Sequence, residues 1–352
     1  MNKFPKKSLR ISIGICTLNG EKYIKQQLES VINQTQKPDQ IVLCDDGSID
    51  KTTDIAKEIL SLSGIDYLIS INEKRQGLHN NFTKCFDLCN GDIIFSCDQD
   101  DVWKPNKIEK FLKYLKNDYL FVYSNAEVVD QNGIIIKSDF WRDIYGLSFS
   151  ELSLDQYKLL LLKTMCVAGC DIAFRKDLFE KIKPIPYHYI HDSWIAICAP
   201  LFGKIAFIDE PLIAYRMHSN NTSGFKVQPQ EIKKKFAKEN KHLISDTFRN
   251  TSPENWFNKP YHYYFANKEF YEQMESNFTK SYCKTVKSSI NYYSDICRCH
   301  PGKKILSYGI LIKLLISGKY FTFRGNIKQF IKDIIYITFN KNISFVYDTE
   351  KW

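Results

Sequence analysis

Two carboxylates separated by one residue, Asp98 and Asp100, follow an apolar run that ends at Cys97. At this spacing they can bind a hard divalent cation and a ribose together, because Mg²⁺ typically uses one or two carboxylates plus substrate phosphates. An Asp-x-Asp pair is expected about once by chance in a chain of this length. The alternative is an acidic cluster at the start of the helix predicted over 105–115. We favour a binding site, because three acids in four residues exceed what one helix end needs.

A second acidic turn, Asp45–Ser48, follows another apolar run. One of its carboxylates can accept a hydrogen bond from a nucleobase N–H, and turn or helix-cap chemistry is the alternative. Thr17 and Asn19 follow the first apolar run and have the same two interpretations. No G-x-G-x-x-G or Walker sequence lies near this run, which disfavours a dinucleotide fold and a P-loop.

Three isolated residues are further candidates. Asp192 precedes an apolar helix and is either its N-cap or a general base. His218 is either a third metal ligand or an exposed loop residue. Arg75 follows the third strand, where it either neutralises a diphosphate or contributes surface charge.

The elements that must position these residues alternate between two hydrophobic periods. The predicted strands are 11–16, 41–44, 67–71, 92–97 and 119–129, and the predicted helices are 21–34, 51–62, 78–89 and 105–115. Two further strand candidates are 166–174 and 205–215. This alternation predicts an α/β fold with a mostly parallel sheet and helices on both faces. Ligands bind beyond the carboxyl ends of such strands, so we expect the polar clusters to share one crevice.

The composition excludes several classes of protein. Of the 352 residues, 44% are hydrophobic and 25% are charged, so most of the chain is expected to fold. No run of about 18–20 apolar residues is present, and the first ten residues lack a signal-peptide pattern, so neither a membrane span nor secretion is expected. The 11 cysteines include no Cys-x-x-Cys pair, which favours reduced thiols in a cytosolic protein over a zinc site.

The net charge of +9 is concentrated in the last part of the chain. Residues 1–225 carry a net charge of −2, whereas residues 226–352 carry +11. We therefore predict two domains with a boundary near residue 225. The basic region suits an anionic surface, either a membrane or a nucleic acid.

Residues 327–335 repeat apolar side chains at helical spacing with lysines between them, which is typical of a helix lying on an anionic membrane. The alternative is a mainly helical subdomain that packs on the first domain or on a second subunit. The sequence therefore leaves open whether the protein forms a homo-oligomer.

Four segments resemble, in order and spacing, the inverting family 2 glycosyltransferases with the GT-A fold, and most closely their bacterial polysaccharide, rhamnosyltransferase-like branch. These segments are Ile13–Tyr23, Val42–Ser48, Gly91–Pro105 and Tyr215–His218. The resemblance covers about residues 9–225 and leaves the basic region uncovered. It implies a Rossmann-like sheet, a UDP- or dTDP-type sugar donor, a glycan or lipid-linked acceptor, and Mg²⁺ or Mn²⁺.

The resemblance also implies a role for each candidate residue. The residues assigned to the nucleotide sugar are Thr17, Asn19, Glu21, Asp46 and Asp98, with Asp98 at the ribose. Arg75 is added to them because it follows the third strand, where it can neutralise the diphosphate. Asp100 would coordinate the metal, and His218 would complete its shell. Asp192 would be the catalytic base, which deprotonates an acceptor hydroxyl so that it attacks the anomeric carbon from the face opposite the leaving group.

Two positions depart from the pattern of many relatives. Leu18 stands where they have a tyrosine, which predicts weaker base stacking or stacking from elsewhere. His191 stands where they have an acid, directly before the expected base.

These observations predict an inverting, metal-dependent glycosyltransferase that builds a cell-surface glycan such as O-antigen or capsule. We expect it in the cytoplasm, on the inner face of the membrane if the basic region binds lipid. The alternative is a non-catalytic sugar-nucleotide or glycan-binding scaffold, and the presence of both the acidic cluster and Asp192 favours the enzyme. A nucleic-acid binder is disfavoured, because no recognition motif is present.

Overall fold

The computed structural model describes residues 9–145, 148, 152–162, 167–186, 189–218, 253–297 and 304–323. The chain divides into two compact units. The first comprises Met1–Tyr157 and Cys166–Ile244, and the second comprises Lys158–Met165 and Ser245–Trp352. The predicted boundary near residue 225 lies outside the described residues and stays a prediction.

The described part of the first unit is built around a nine-stranded sheet. The strands are β1 (Ile11–Thr17), β2 (Gln40–Asp45), β3 (Asp66–Ile71), β4 (Ile93–Cys97), β5 (Val102–Trp103), β6 (Tyr119–Val129), β7 (Ile135–Lys137), β8 (Ile172–Arg175) and β9 (Lys204–Arg216). The helices up to β9 are α1 (Ile24–Ile32), α2 (Thr52–Ser61), α3 (Leu78–Leu88), α4 (Lys107–Leu115), α5 (Leu154–Leu161), α6 (Lys176–Ile182) and α7 (His191–Phe202).

The sheet order is β3-β2-β1-β4-β8-β6-β9-β5, with β7 paired to β6. β1 runs parallel to β2 and β4, and β2 runs parallel to β3. β8 lies antiparallel between β4 and β6, while β9 runs parallel to β6. The predicted α/β class is confirmed, and the sheet is mixed because β5, β7 and β8 run antiparallel to the strands they pair with. The carboxyl ends of β1, β2 and β4 lie at one edge, because these neighbours are parallel.

The central strands are covered on both faces, since every residue of β1, β2 and β4 is buried. Their near-continuous apolar runs are typical of parallel strands in this position. Gly14 of β1 allows α3 to pack closely on the strand. A Cβ at this position would lie 3.1 Å from the Cys85 sulfur and 3.2 Å from the Phe86 ring.

The elements predicted between residues 11 and 129 are all present, with ends shifted by up to three residues. The apolar run 166–174 differs most, because only its end forms a strand, β8. Gly169–Asp171 before it form a 3₁₀ turn. This turn is held by the Asp171 carboxylate, which accepts a hydrogen bond from Ser124 Oγ at 2.8 Å and pairs with Lys107.

The described part of the second unit is mainly helical, as predicted. The α-helices that follow β9 in the sequence are α8 (Pro253–Met274), α9 (Lys280–Cys297), α10 (Lys304–Ile316) and α11 (Lys319–Phe323). Their core is the buried cluster of Tyr292, Tyr293, Ile296, Ile310, Leu311, Leu314, Tyr320 and Phe323. Within the described residues, no helix has the length and apolar character needed to cross a bilayer. The apolar repeat at 327–335 lies outside them.

Candidate active site

The loops after β1 and β2 are joined at the carboxyl edge of the sheet. Thr17 Oγ1 donates to Asp45 Oδ2 at 2.7 Å, and the Asp46 N–H donates to the Thr17 carbonyl at 2.9 Å. Asp45 Oδ1 accepts from the N–H groups of Gly47 and Ser48 at 3.1 and 2.7 Å, which closes the turn. The Asp45 carboxylate therefore shapes the turn, as the turn-chemistry interpretation expected.

Asn19 and Glu21 fasten the first loop to the start of α2. Asn19 has a φ of +50°, in the left-handed region that asparagine tolerates better than most residues. Its Oδ1 accepts from the Ile49 N–H at 3.0 Å, and Glu21 Oε2 accepts from the Lys51 N–H at 3.0 Å. Both side chains thus order the loop in which they were predicted to meet the nucleotide.

Asp46 organises the loop after β3. Its carboxylate accepts from the Gln76 N–H at 2.6 Å, the Gly77 N–H at 2.9 Å and Asn72 Nδ2 at 2.9 Å. Arg75 Nε lies 3.9 Å from the same carboxylate, and 72% of the Arg75 side chain is exposed. The structure therefore places Arg75 beside Asp46, with its guanidinium open to a ligand or to solvent.

Four carboxylates gather beyond β4: Asp98, Asp100, Asp101 and Asp192. Burial raises the pKa of Asp98 well above its usual range, and the charges of Asp100, Asp101 and Asp192 raise it further. Burial, helped by the Asp100 charge, raises the pKa of Asp101 to about 7. The structure thus brings Asp98, Asp100 and Asp192 into one electrostatic group, in which the neighbouring charges disfavour the ionised form of Asp98.

His218 reaches this group from the end of β9. Its Nε2 lies 2.7 Å from Asp100 Oδ2, and its ring stacks on Tyr23 with the centroids 4.8 Å apart. The imidazole is buried rather than exposed in a loop. Its contacts therefore fit the metal-ligand interpretation better than the alternative.

Arg216, two residues earlier, connects three parts of the site. Its backbone N–H donates to Asp101 Oδ1 at 2.8 Å, and its Nε donates to the Asp100 carbonyl at 2.7 Å. Its Nη2 donates to Gln26 Oε1 at 2.6 Å, and the guanidinium lies 5.0 Å from the centre of the Tyr23 ring. This buried arginine holds the loop after β4 against α1 and the end of β9.

Asp192 lies in the first turn of α7, whose N-cap is Ile190, so it is not the cap itself. Its carboxylate accepts from the Ser193 N–H at 2.5 Å and lies against Gly169, where an added Cβ would sit 3.0 Å from Asp192 Oδ2. Burial raises the pKa of Asp192 to about 6, despite the opposing hydrogen bonds from Ser193. A buried carboxylate with this pKa can take up a proton near neutral pH.

His191, directly before it, is buried in an aromatic pocket. Its ring stacks on Phe82 with centroids 3.8 Å apart and meets Phe86 edge-on at 5.6 Å. Both ring nitrogens lack a hydrogen-bond partner among the described residues. Burial lowers the pKa of His191 to about 3, so the residue is a neutral packing group.

Sequence reasoning missed five residues that shape this site. Gly169 and Cys170 form the turn beneath Asp192 and Asp101, and Lys107 pairs with Asp171 of the same turn. Lys107 and Asp171 are 64 residues apart, so no local pattern marks them. Arg216 lies inside the recognised segment Tyr215–His218. Its position two residues before His218 was the one feature of the sequence that could have indicated its role.

The comparisons with known proteins agree with this geometry. Residues 12–183 match the profile described as Glycosyl transferase family 2. A glycosyltransferase of Haemophilus influenzae, itself uncharacterized, is 30% identical over 240 residues, which are 65% of this chain and 72% of that protein. The chain belongs to glycosyl transferase family 2.

Other glycosyltransferases are similar over comparable lengths. The dTDP-rhamnosyl transferase RfbG of Shigella flexneri is 28% identical over 60% of this chain and 73% of its own length. An uncharacterized glycosyltransferase of a Nostoc species is 28% identical, and the chain spans 66% of that relative's length. The family resemblance that the sequence motifs indicated is confirmed.

Solved glycosyltransferases share the fold. Residues 1–349 of Staphylococcus aureus TarS, in complex with UDP-GlcNAc, superpose with a TM-score of 0.53 at 16% identity, covering 93% of this chain and 91% of that one. The mannosyltransferase PcManGT of Pyrobaculum calidifontis, in complex with GDP-Man and Mn²⁺, gives 0.52 at 14% identity, covering 95% and 86%. The predicted GT-A fold of this family 2 member is confirmed.

Proposed function

We propose that this protein is an inverting, metal-dependent glycosyltransferase that moves a sugar from a nucleotide-diphosphate sugar to a hydroxyl of a glycan or lipid-linked acceptor. The observation that carries the proposal is Asp192. Its buried carboxylate has a pKa of about 6 and lies in the same charged group as Asp98 and Asp100. The reaction needs one carboxylate that can accept a proton and, next to it, other carboxylates that can bind the sugar donor and its metal.

The donor would occupy the carboxyl edge of β1, β2 and β4. The residues proposed to contact it are Thr17, Asn19, Glu21, Asp46, Arg75 and Asp98, with Asp98 at the ribose. Asp46 would act in two ways. It orders the loop after β3, and its Oδ2, which accepts from the Gly77 N–H, keeps one lone pair for a base N–H. RfbG is named for a dTDP-sugar, and TarS was solved with UDP-GlcNAc, which supports a donor of the UDP or dTDP type.

Asp100 and His218 would hold Mg²⁺ or Mn²⁺. A carboxylate and an imidazole are suitable ligands for Mn²⁺, and the two groups already meet at 2.7 Å. The bound cation supplies charge that offsets the negative diphosphate as it departs. PcManGT was solved with GDP-Man and Mn²⁺, which supports the proposal of a divalent cation in this protein.

Asp192 would act as the general base. Its ionised carboxylate takes the proton of the acceptor hydroxyl, and the acceptor oxygen forms a bond to the anomeric carbon. The bond between that carbon and the diphosphate oxygen breaks at the same time, and its electron pair leaves with the nucleotide diphosphate. Attack from the opposite face inverts the anomeric configuration. The Ser193 N–H and Gly169 keep the Asp192 carboxylate in place for this step.

We place the reaction in cell-surface polysaccharide synthesis on the cytoplasmic side of the membrane. The basic C-terminal region would contact an anionic membrane that carries the acceptor. Deleting residues 303–352 should therefore release the protein from anionic vesicles, whereas unchanged binding would contradict this contact.

The test is a donor screen. The protein is incubated with Mn²⁺ or Mg²⁺ and a panel of UDP-, dTDP- and GDP-sugars, with and without lipid-linked acceptors, and nucleotide diphosphate release is measured. We expect release from one donor, lost in Asp100→Ala and Asp192→Asn, and a product with inverted anomeric configuration by NMR. Binding of a nucleotide sugar without release under any condition would instead support the scaffold alternative.

A further inference from the structure

Three side chains beside the donor site converge on one point. An oxygen of Asp98, an oxygen of Asp101 and the sulfur of Cys170 all lie within 4.8 Å of one another. They come from the end of β4, the loop before β5 and the 3₁₀ turn before β8, so only the fold brings them together. Asp101 and Cys170 are each 1% exposed.

Few hydrogen bonds balance the negative charge at this point. Asp101 Oδ1 accepts from the Arg216 N–H, whereas Oδ2 is buried and no N–H or O–H group of the described residues donates to it. The Cys170 thiol, a weak donor, is the other hydrogen-bond partner of this carboxylate. Lys107 contacts the neighbouring turn, but its ammonium pairs with Asp171. A buried carboxylate oxygen without a partner is costly unless a proton or a cation compensates it.

We propose that Asp98, Asp101 and Cys170 form a second divalent-cation site, separate from the Asp100–His218 pair, that takes a thiophilic cation such as Zn²⁺ or Cd²⁺. Two ligand atoms on one tetrahedral ion of this kind are about 3.3–3.8 Å apart, because metal–oxygen and metal–sulfur bonds are roughly 2.0–2.3 Å long. The three atoms lie within 4.8 Å of one another, so they need to approach by no more than about 1.5 Å to reach that spacing. Binding of M²⁺ forms one metal–sulfur bond and two metal–oxygen bonds, and it releases the Cys170 thiol proton, together with any proton on the two carboxyl groups, to solvent.

The sulfur determines which cation binds. Thiolate ligands favour Zn²⁺ and Cd²⁺, whereas Mg²⁺ prefers oxygen ligands only. Asp98 is also the residue assigned to the donor ribose, and this assignment rests on the proposed function. A thiophilic cation at this site would therefore compete with the donor and raise its KM, while leaving Asp100 and His218 to Mg²⁺ or Mn²⁺.

The test uses the full chain, stripped of metal with a chelator, and Cd²⁺ as the probe. Cadmium thiolates absorb in the ultraviolet, so the charge-transfer band is titrated in wild type, Cys170→Ser and Asp101→Asn. Cys283→Ser, which removes a half-buried thiol on α9, is the matched control. Because the band does not depend on donor or acceptor, the result is independent of whether the proposed function holds.

We expect Cys170→Ser to lose the component of the band that saturates first, and Cd²⁺ affinity to fall about tenfold or more. Asp101→Asn keeps Oδ1 for the Arg216 N–H but loses a charged ligand, so it should weaken Cd²⁺ binding without unfolding the protein. Cys283→Ser and His218→Ala should keep that component. An identical titration in wild type and Cys170→Ser overturns the site. If Cys170→Ser does not fold, unchanged binding in Asp101→Asn overturns it.

Discussion

His218 Nε2 lies 2.7 Å from Asp100 Oδ2, which joins the end of β9 to the loop after β4 across 118 residues of sequence. The Tyr23 ring stacks on the imidazole and so holds the histidine. The Arg216 Nε donates to the Asp100 carbonyl and so holds the aspartate. The proposed metal pair is therefore held by packing rather than by one flexible loop.

The first prediction concerns metal affinity. His218→Ala should raise the Mn²⁺ concentration needed for half-maximal donor release by about 10- to 100-fold, because one ligand is lost. Activity at saturating Mn²⁺ should fall less. Tyr23→Ala should produce a smaller shift in the same direction, while Tyr23→Phe keeps the ring and should resemble wild type. Equal Mn²⁺ dependence in His218→Ala and wild type would show that the histidine is not a ligand.

A second prediction concerns pH. Because the pKa of Asp192 is about 6, its carboxylate is ionised above that pH and protonated below it. We therefore expect kcat/KM to fall with decreasing pH in a single-proton step near pH 6. Asp192→Asn should lower kcat by about 10²–10⁴-fold and remove this step from whatever activity remains. A profile that keeps the step in Asp192→Asn would assign it to another group.

A third prediction concerns stability. The contribution of Asp192 to the free energy of unfolding should fall as the pH rises, whereas kcat/KM should increase. A carboxyl group whose pKa is raised by folding stabilises the native state below its unfolded pKa, and this contribution is lost as the pH rises through the folded pKa. For Asp192 the loss occurs between about pH 4 and 6. At pH 7.5, Asp192→Asn should therefore unfold at the same or a higher temperature than wild type. A clear decrease in Tm would mean that the carboxylate stabilises the fold.

A fourth prediction concerns the buried pair of Lys107 and Asp171. Lys107→Met leaves the Asp171 carboxylate buried without its cation, so we expect a loss of about 3–5 kcal/mol in the free energy of unfolding. Lys107→Met/Asp171→Asn removes both charges and should be less destabilised than Lys107→Met alone, as measured by urea unfolding. The exposed Lys25–Glu29 pair is the control, and Lys25→Met should change stability by less than about 0.5 kcal/mol.

The fifth prediction concerns Gly169. A Cβ there would lie 2.9 Å from His191 Nε2 and 3.0 Å from Asp192 Oδ2, so Gly169→Ala should displace the proposed base. We expect kcat to fall about 10²-fold with little change in the KM for the donor, because such a displacement misaligns the acceptor step. Gly309→Ala in α10 is the matched control, since its added Cβ meets no atom within 4 Å.

The elements up to residue 129 could be predicted because each carries its own periodicity. Continuous apolar runs such as Ile11–Thr17 suit only a covered strand, and the helical stretches repeat their apolar residues at helical spacing. The run at 166–174 was misjudged for the same reason. Its local apolar character favoured a strand, whereas the bonds of Asp171 to Ser124 and Lys107 impose a turn.

The sequence by itself determined the α/β class, the family and the carboxyl edge where Thr17, Asp46 and Asp98 cluster. These follow from local patterns and from the rule that parallel strands end at one edge. Only the tertiary structure decided which groups share a burial environment. The pKa of Asp192, the neutrality of His191, the Lys107–Asp171 pair and the approach of Cys170 to Asp101 depend on desolvation and contacts between distant segments, which no local pattern encodes.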